Sequence, residues 1–94
     1  MALRVAWAQR AVRDLEVITA YIAADSPAYA STVVRNIVSR TRTLADFPKS
    51  GRKVPEFDDD NIREPIVYSY RVIYQVEGEE VVVAAVMHGK RDLR

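Results

Sequence analysis

Apolar residues near the C-terminal end of the chain fall first at every second position and then in an unbroken run. Tyr70, Val72, Tyr74 and Val76 alternate with Arg71, Ile73 and Gln75, and Val81 to Met87 follows after Glu77-Gly78-Glu79-Glu80. Period two predicts strands, and a glycine among acids predicts a tight turn, because glycine enters positive φ freely and charges keep the turn in water. Val81-Val82-Val83 is apolar on both faces, so the second strand belongs inside a sheet, between its hairpin partner and an N-terminal strand. It ends in His88-Gly89-Lys90-Arg91, which delivers nitrogen-bearing side chains to the mouth of the hairpin.

Upstream the period changes. Leu3, Val5 and Trp7 alternate with polar or small residues and predict a short strand. From Ala8, the residues Ala11, Val12, Leu15, Ile18 and Ile22 recur at three- and four-residue spacing, which predicts an amphipathic helix ending near Asp25. Ser26-Pro27 then reads as a helix N-cap followed by proline at the first helical position, where the missing N–H costs nothing. A second helix follows, with Ala30, Val33, Val34, Ile37, Val38, Thr41, Leu44 and Ala45 inward, and Pro48 stops it after Phe47. Lys49 to Asp60 has turn chemistry and is expected to be an exposed, mobile loop. Ile62 to Val67 resumes an extended pattern, and Pro65, lacking an amide proton, is expected to place it on a sheet edge. The fold class predicted is α+β in two layers. It comprises an N-terminal strand, an antiparallel helix hairpin, then a three-stranded antiparallel sheet in the order β-α-α-β-β-β, with the N-terminal strand able to make a fourth.

Composition narrows the chemistry. The 94 residues are 49% apolar and 29% charged, which suits one domain spanning 1–94. No run approaches the length that spans a bilayer, so no membrane association is expected. Met1-Ala2-Leu3-Arg4 does not open an export leader, which gives a cytoplasmic expectation. With no cysteine and one histidine, disulfides, thiolate catalysis and Cys- or His-rich metal sites are excluded, and neither a metal nor a cofactor is expected. Fourteen basic against thirteen acidic residues leave a net charge of +1. That is too little for wholesale phosphate neutralisation, so direct sequence-specific DNA binding by the chain alone is not expected.

Each candidate residue carries two readings. His88 is either a general base or a hydrogen-bonded residue at a strand end. Arg71 either contacts a target or pairs with Glu64 or Glu80. Lys90, Arg91 and Arg94 form either an interaction surface beside His88 or a solvated end. Tyr68, Tyr70 and Tyr74 either stack on bases or fill the core. Asp58-Asp59-Asp60 is a solvated acidic run in preference to a cation site.

Over essentially its whole length the chain resembles the RelE/ParE superfamily of bacterial type II toxin–antitoxin toxins. The likeness rests on Trp7, Leu15 to Ile22, Ser26-Pro27 and Ala30, then Leu44 to Pro48 and Ser50-Gly51-Arg52 with Val54. It continues through Arg63-Glu64, Tyr70-Arg71-Val72-Ile73-Tyr74, and Val86 to Gly89 with Arg91. The resemblance implies a RelE-like fold and two possible activities. RelE-like members cut mRNA on the ribosome, which requires a base for the 2′-OH, an acid for the leaving oxygen and cations at the phosphate. Here Arg71 and Arg91 match the sheet arginines, and His88 and Glu64 are the available acid–base candidates. No Tyr follows Arg91, however, and Arg63-Glu64 stands where a lysine pair is expected. The ParE-like branch, which the Arg-Glu, Tyr-Arg-x-Ile-Tyr and His-Gly-x-Arg segments resemble more closely, inhibits DNA gyrase without a hydrolytic site. The resemblance therefore implies a gyrase-inhibiting toxin with His88, Lys90, Arg91, Arg94 and Arg71 as target-binding candidates. It also implies neutralisation by a cognate, ParD-like antitoxin, whose contact residues the sequence leaves unassigned. A RelE-like ribosome-dependent endoribonuclease and a non-toxic regulatory binding module of the same fold are the alternatives.

Overall fold

The computed structural model of the protein describes residues 2–90. Its elements run β1 (Arg4–Trp7), α1 (Gln9–Ala23), α2 (Pro27–Thr43), β2 (Arg52–Lys53), β3 (Ile62–Glu64), β4 (Ile66–Val67), β5 (Tyr70–Glu77) and β6 (Glu80–His88). The helix starts and stops have local causes. Ser26 lies in extended backbone and its hydroxyl accepts the Tyr29 amide proton at 3.2 Å, with Pro27 next in the chain. At the other end, α2 stops at Thr43 and gives way to i→i−3 bonds from Leu44 to Thr41 and Ala45 to Arg42. The helix therefore finishes four residues before the stop expected at Phe47, in the tighter turns that commonly close an α-helix.

The sheet order is β1-β6-β5-β3-β2, with β4 also pairing β5. β1 runs parallel to β6, from Arg4 opposite Glu80 to Trp7 opposite Val83. Parallel pairing requires a long connection, and here the helix hairpin and the strands β2 to β5 lie between the two. β5 and β6 join through Gly78-Glu79, with Gly78 at φ +59. Glycine at the first central position suits the strand twist of a two-residue hairpin. β6 thus lies between its hairpin partner and β1, as its two-sided apolar character predicts.

Both helices cover one face of the sheet. Ala11, Val33, Ile37, Val72, Val83 and Val86 are buried there, with Trp7, Leu15, Ile18, Ile22 and Tyr70 packed around them. A register shift between Ile73 and Tyr74 inserts Ala84 as an extra residue in β6, the signature of a β-bulge. On the opposite face Ile73, Ala85 and Met87 are covered by Val54.

That cover corrects two expectations. The segment Lys49 to Asp60 is not a loose loop: it contains β2, and Gly51 and Val54 are fully buried. The buried Tyr74 hydroxyl holds its start, accepting the Gly51 amide proton at 3.1 Å and donating to the Pro48 carbonyl at 2.6 Å. The edge expected for the strand that holds Pro65 is found only in part: β3, before the proline, lies between β5 and β2, whereas β4, after it, pairs only β5 among the described strands. Pro65 is buried at the break between β3 and β4, where its carbonyl accepts the Val72 amide proton at 3.1 Å. A proline fits inside a sheet when it falls between ladders, where no amide proton is needed.

Candidate functional site at the end of the hairpin

Arg71 follows Tyr70 on β5 and precedes Val72, so strand alternation turns it away from the helices and onto the sheet's second face. Its Nε donates to Glu64 Oε1, and Nη1 and Nη2 donate to the two oxygens of Glu56, all at 2.7 Å. The other Glu64 oxygen accepts from Arg52 Nε at 2.8 Å and Nη2 at 2.7 Å. Only 4% of the Arg71 side chain is exposed, against 6% for Glu56 and none for Glu64. The hydrogen bonds from Glu56, ahead of those from Glu64, hold the guanidinium above its ordinary pKa despite the opposing penalty of burial.

Of the pairings considered for Arg71, the one with Glu64 is present, and Glu56 is a second partner. Glu80, the other partner considered, faces Arg4 at 3.9 Å. Glu56 was not legible as a site residue, because it sits in a segment whose composition reads as a solvated turn. Arg63 closes the same segment, donating to the carbonyls of Asp60 at 2.7 Å and Gly51 at 3.0 Å. Lys53 and Asp60 pair at 2.9 Å on the surface, which raises the lysine's pKa and lowers the aspartate's.

His88 ends β6 directly opposite Tyr70, and the two rings meet edge to face at 5.9 Å. Its Nδ1 accepts the Lys90 amide proton at 3.2 Å, while the Gly89 amide donates to the Ser69 carbonyl at 2.6 Å. His88, Gly89 and Lys90 are all exposed. The oxygens of Glu64 are both engaged by arginines, so His88 and Glu64 are not assembled as an acid–base pair. Arg91 and Arg94 lie outside the described residues. Tyr74 is core, Tyr70 is half-buried and Tyr68 is exposed. Asp58, Asp59 and Asp60 are exposed, as a solvated run should be.

The structure adds a contact that residue spacing did not reveal. Past Val83 the outer edge of β6 has no strand beside it among the described residues, and the Asp14 carboxylate from α1 accepts the Val86 amide proton there at 3.0 Å. Beside this edge, Tyr21, Tyr29, Tyr68 and Tyr70 surround an open depression together with His88.

Comparison with known proteins places this architecture. Residues 5–93 match the family described as ParE toxin of type II toxin-antitoxin system, parDE. The chain is 34% identical over 88 residues to the protein named "Putative toxin Y4kP" from Sinorhizobium fredii, covering 90% of this chain and 86% of that one. The solved structure described as "Chromosomal ParDE TA system from P. aeruginosa" has the same fold, with a TM-score of 0.75 at 20% identity over 93% of this chain and 96% of the other. The chain belongs to the ParE toxin family. Among the described residues no helix is long and apolar enough to cross a membrane.

Proposed function

We propose that this chain inhibits DNA gyrase by binding it, without hydrolytic chemistry, and that a cognate ParD-like antitoxin holds it inactive. The observation that carries the reading is the enclosure of Arg71. An RNA-cleaving member needs a sheet cation free to meet a phosphate whose charge is growing. Here that guanidinium is buried between two carboxylates, and Arg52 engages the second oxygen of Glu64. His88 lacks Glu64 as its partner, and the position expected for a lysine pair holds Arg63-Glu64 on β3, both committed to the fold. His88 and Lys90 are exposed at the hairpin end, and the reading makes them, with Arg91 and Arg94, the contacts to the target.

This reading supposes a cytoplasmic protein, because gyrase acts there, and an antitoxin encoded beside it. Induced expression in bacteria tests it with two readouts, the DNA-damage response and the integrity of translated mRNA. Growth arrest with a damage response and intact messages is the expected result, relieved by co-expression of the neighbouring reading frame. Arrest accompanied by cuts in translated mRNA overturns the gyrase reading in favour of the ribonuclease one. Unimpaired growth without the neighbour favours a non-toxic binding module.

A further inference from the structure

Four of the five tyrosines in the chain, Tyr21, Tyr29, Tyr68 and Tyr70, line one depression of about 660 Å³ where the α1–α2 junction meets the β4–β5 turn. They arrive from three elements and one turn, so no periodicity explains their convergence. Tyr21 is 80% exposed, and Tyr29 and Tyr68 are about half exposed. Large aromatic rings left this open are unusual on a small domain unless something covers them.

Tyr68 also adopts an unfavourable backbone. It is the first residue of the two-residue turn between Val67 and Tyr70, and its φ is +54. Glycine, asparagine or aspartate is the usual occupant of such a turn position, and a bulky residue there is strained. The ring is fixed all the same: Asn36 Nδ2 donates to its hydroxyl at 2.6 Å and Tyr29 meets it edge-on at 6.0 Å. A strained residue whose ring is held against solvent points to a use for the ring.

The charge around the depression selects the occupant. Among the described residues Asp25 and His88 line it, and no lysine or arginine does. The C-terminal turn of α1, which ends here, carries no basic side chain to offset its negative pole. Aromatic faces beside a carboxylate and a helix C-terminus attract a cation, and a planar guanidinium can both stack on phenol rings and pair with the acid. We propose that this tyrosine pocket receives an arginine side chain of a partner polypeptide, with Asp25 as its counter-ion. The proposal does not depend on what the toxin inhibits.

The test titrates the full chain, observed by NMR at its tyrosine rings, with a capped Gly-Arg-Gly peptide and its neutral citrulline counterpart. The arginine peptide should shift Tyr21, Tyr29 and Tyr68 together and saturably, weaken with salt, and bind more tightly than the citrulline peptide. Tyr21→Ala, which removes an exposed ring and leaves the core untouched, should weaken binding about threefold, and Asp25→Asn by a similar factor. Tyr68→Gly, which relieves the positive φ, should leave the chain folded while reducing binding. Equal binding of the arginine and citrulline peptides, unchanged binding by the Tyr21→Ala and Tyr68→Gly chains, or no saturable shift would overturn the proposal. So would ring shifts on adding uridine monophosphate but not the arginine peptide, because they would make the pocket a base-stacking site.

Discussion

Arg71 and Glu56 meet as a two-pronged pair, Nη1 on one carboxylate oxygen and Nη2 on the other, each at 2.7 Å and almost completely out of water. The pair joins a central strand to the segment that crosses the sheet's second face. The same arginine secures Glu64, so one side chain bridges two buried acids, and Arg52 supplies the second positive charge. Removing one member of such a network leaves charge buried without a partner, which costs far more than the pair contributes on balance. Arg71→Ala should therefore lower the unfolding free energy by about 3–5 kcal/mol, measured by urea denaturation. Arg52→Ala, whose side chain is 57% exposed, should cost less than Arg71→Ala, because Glu64 keeps its Arg71 hydrogen bond and the opening left behind admits water. If Arg71→Ala leaves stability intact, the network does not hold the segment in place.

Gly51 is confined by what surrounds it. A Cβ there would lie 2.9 Å from Cε1 and from the hydroxyl oxygen of Tyr74 and 3.0 Å from the Glu64 backbone. The ring is buried and hydrogen-bonded on both sides of its hydroxyl, so it has little room to yield. Gly51→Ala should destabilise by about 1–3 kcal/mol, the usual cost of overpacking, seen as a lower urea midpoint with an unchanged slope.

Tyr74 gives a dependence on alkali. Burial raises its pKa above the ordinary value, outweighing the Gly51 hydrogen bond that favours the phenolate. A raised folded pKa means that the contribution is fully present below the unfolded value, near pH 10, and is lost as pH rises through the folded one. Stability should accordingly fall more steeply above about pH 10 in the native chain than in Tyr74→Phe. At neutral pH that variant should be about 1–3 kcal/mol less stable, because Gly51 N–H and the Pro48 carbonyl lose their partner. Parallel alkaline limbs for the two chains would contradict the assignment.

Asp14 separates a hydrogen-bonding role from a charge role. Asp14→Ala should cost about 1–2 kcal/mol by leaving the Val86 amide without its acceptor, whereas Asp14→Asn retains an oxygen and should recover most of that loss. Amide hydrogen exchange at Val86 should quicken in the alanine chain only.

The parts of the fold legible in the sequence are those governed by local rules. Ser26-Pro27 announces a helix start by cap chemistry, and Glu77 to Glu80 announces a turn by its glycine. Val81-Val82-Val83 reveals its central place because an interior strand needs apolar residues on both faces. The illegible parts are long-range. Glu56 and Arg71 are 15 residues apart, and nothing local distinguishes an acid destined for an ion pair from one left in water. Pro65 misleads for a related reason: the edge rule assumes a continuous ladder, and this ladder breaks at the proline. Tyr21 and Tyr29 are not legible as part of one cluster, because each looks like an ordinary surface residue until the helix hairpin brings them beside Tyr68.

If the chain acts as proposed, by binding gyrase with no acid–base chemistry at His88, then purified protein titrated into a gyrase supercoiling reaction, beside His88→Ala and with a ribosome-bound mRNA as parallel substrate, separates the two activities. Supercoiling should be inhibited by both chains, with the alanine chain weakened at most by its lost contact, and the message should stay uncut. Undiminished supercoiling together with mRNA cleavage that disappears in His88→Ala would contradict the proposal.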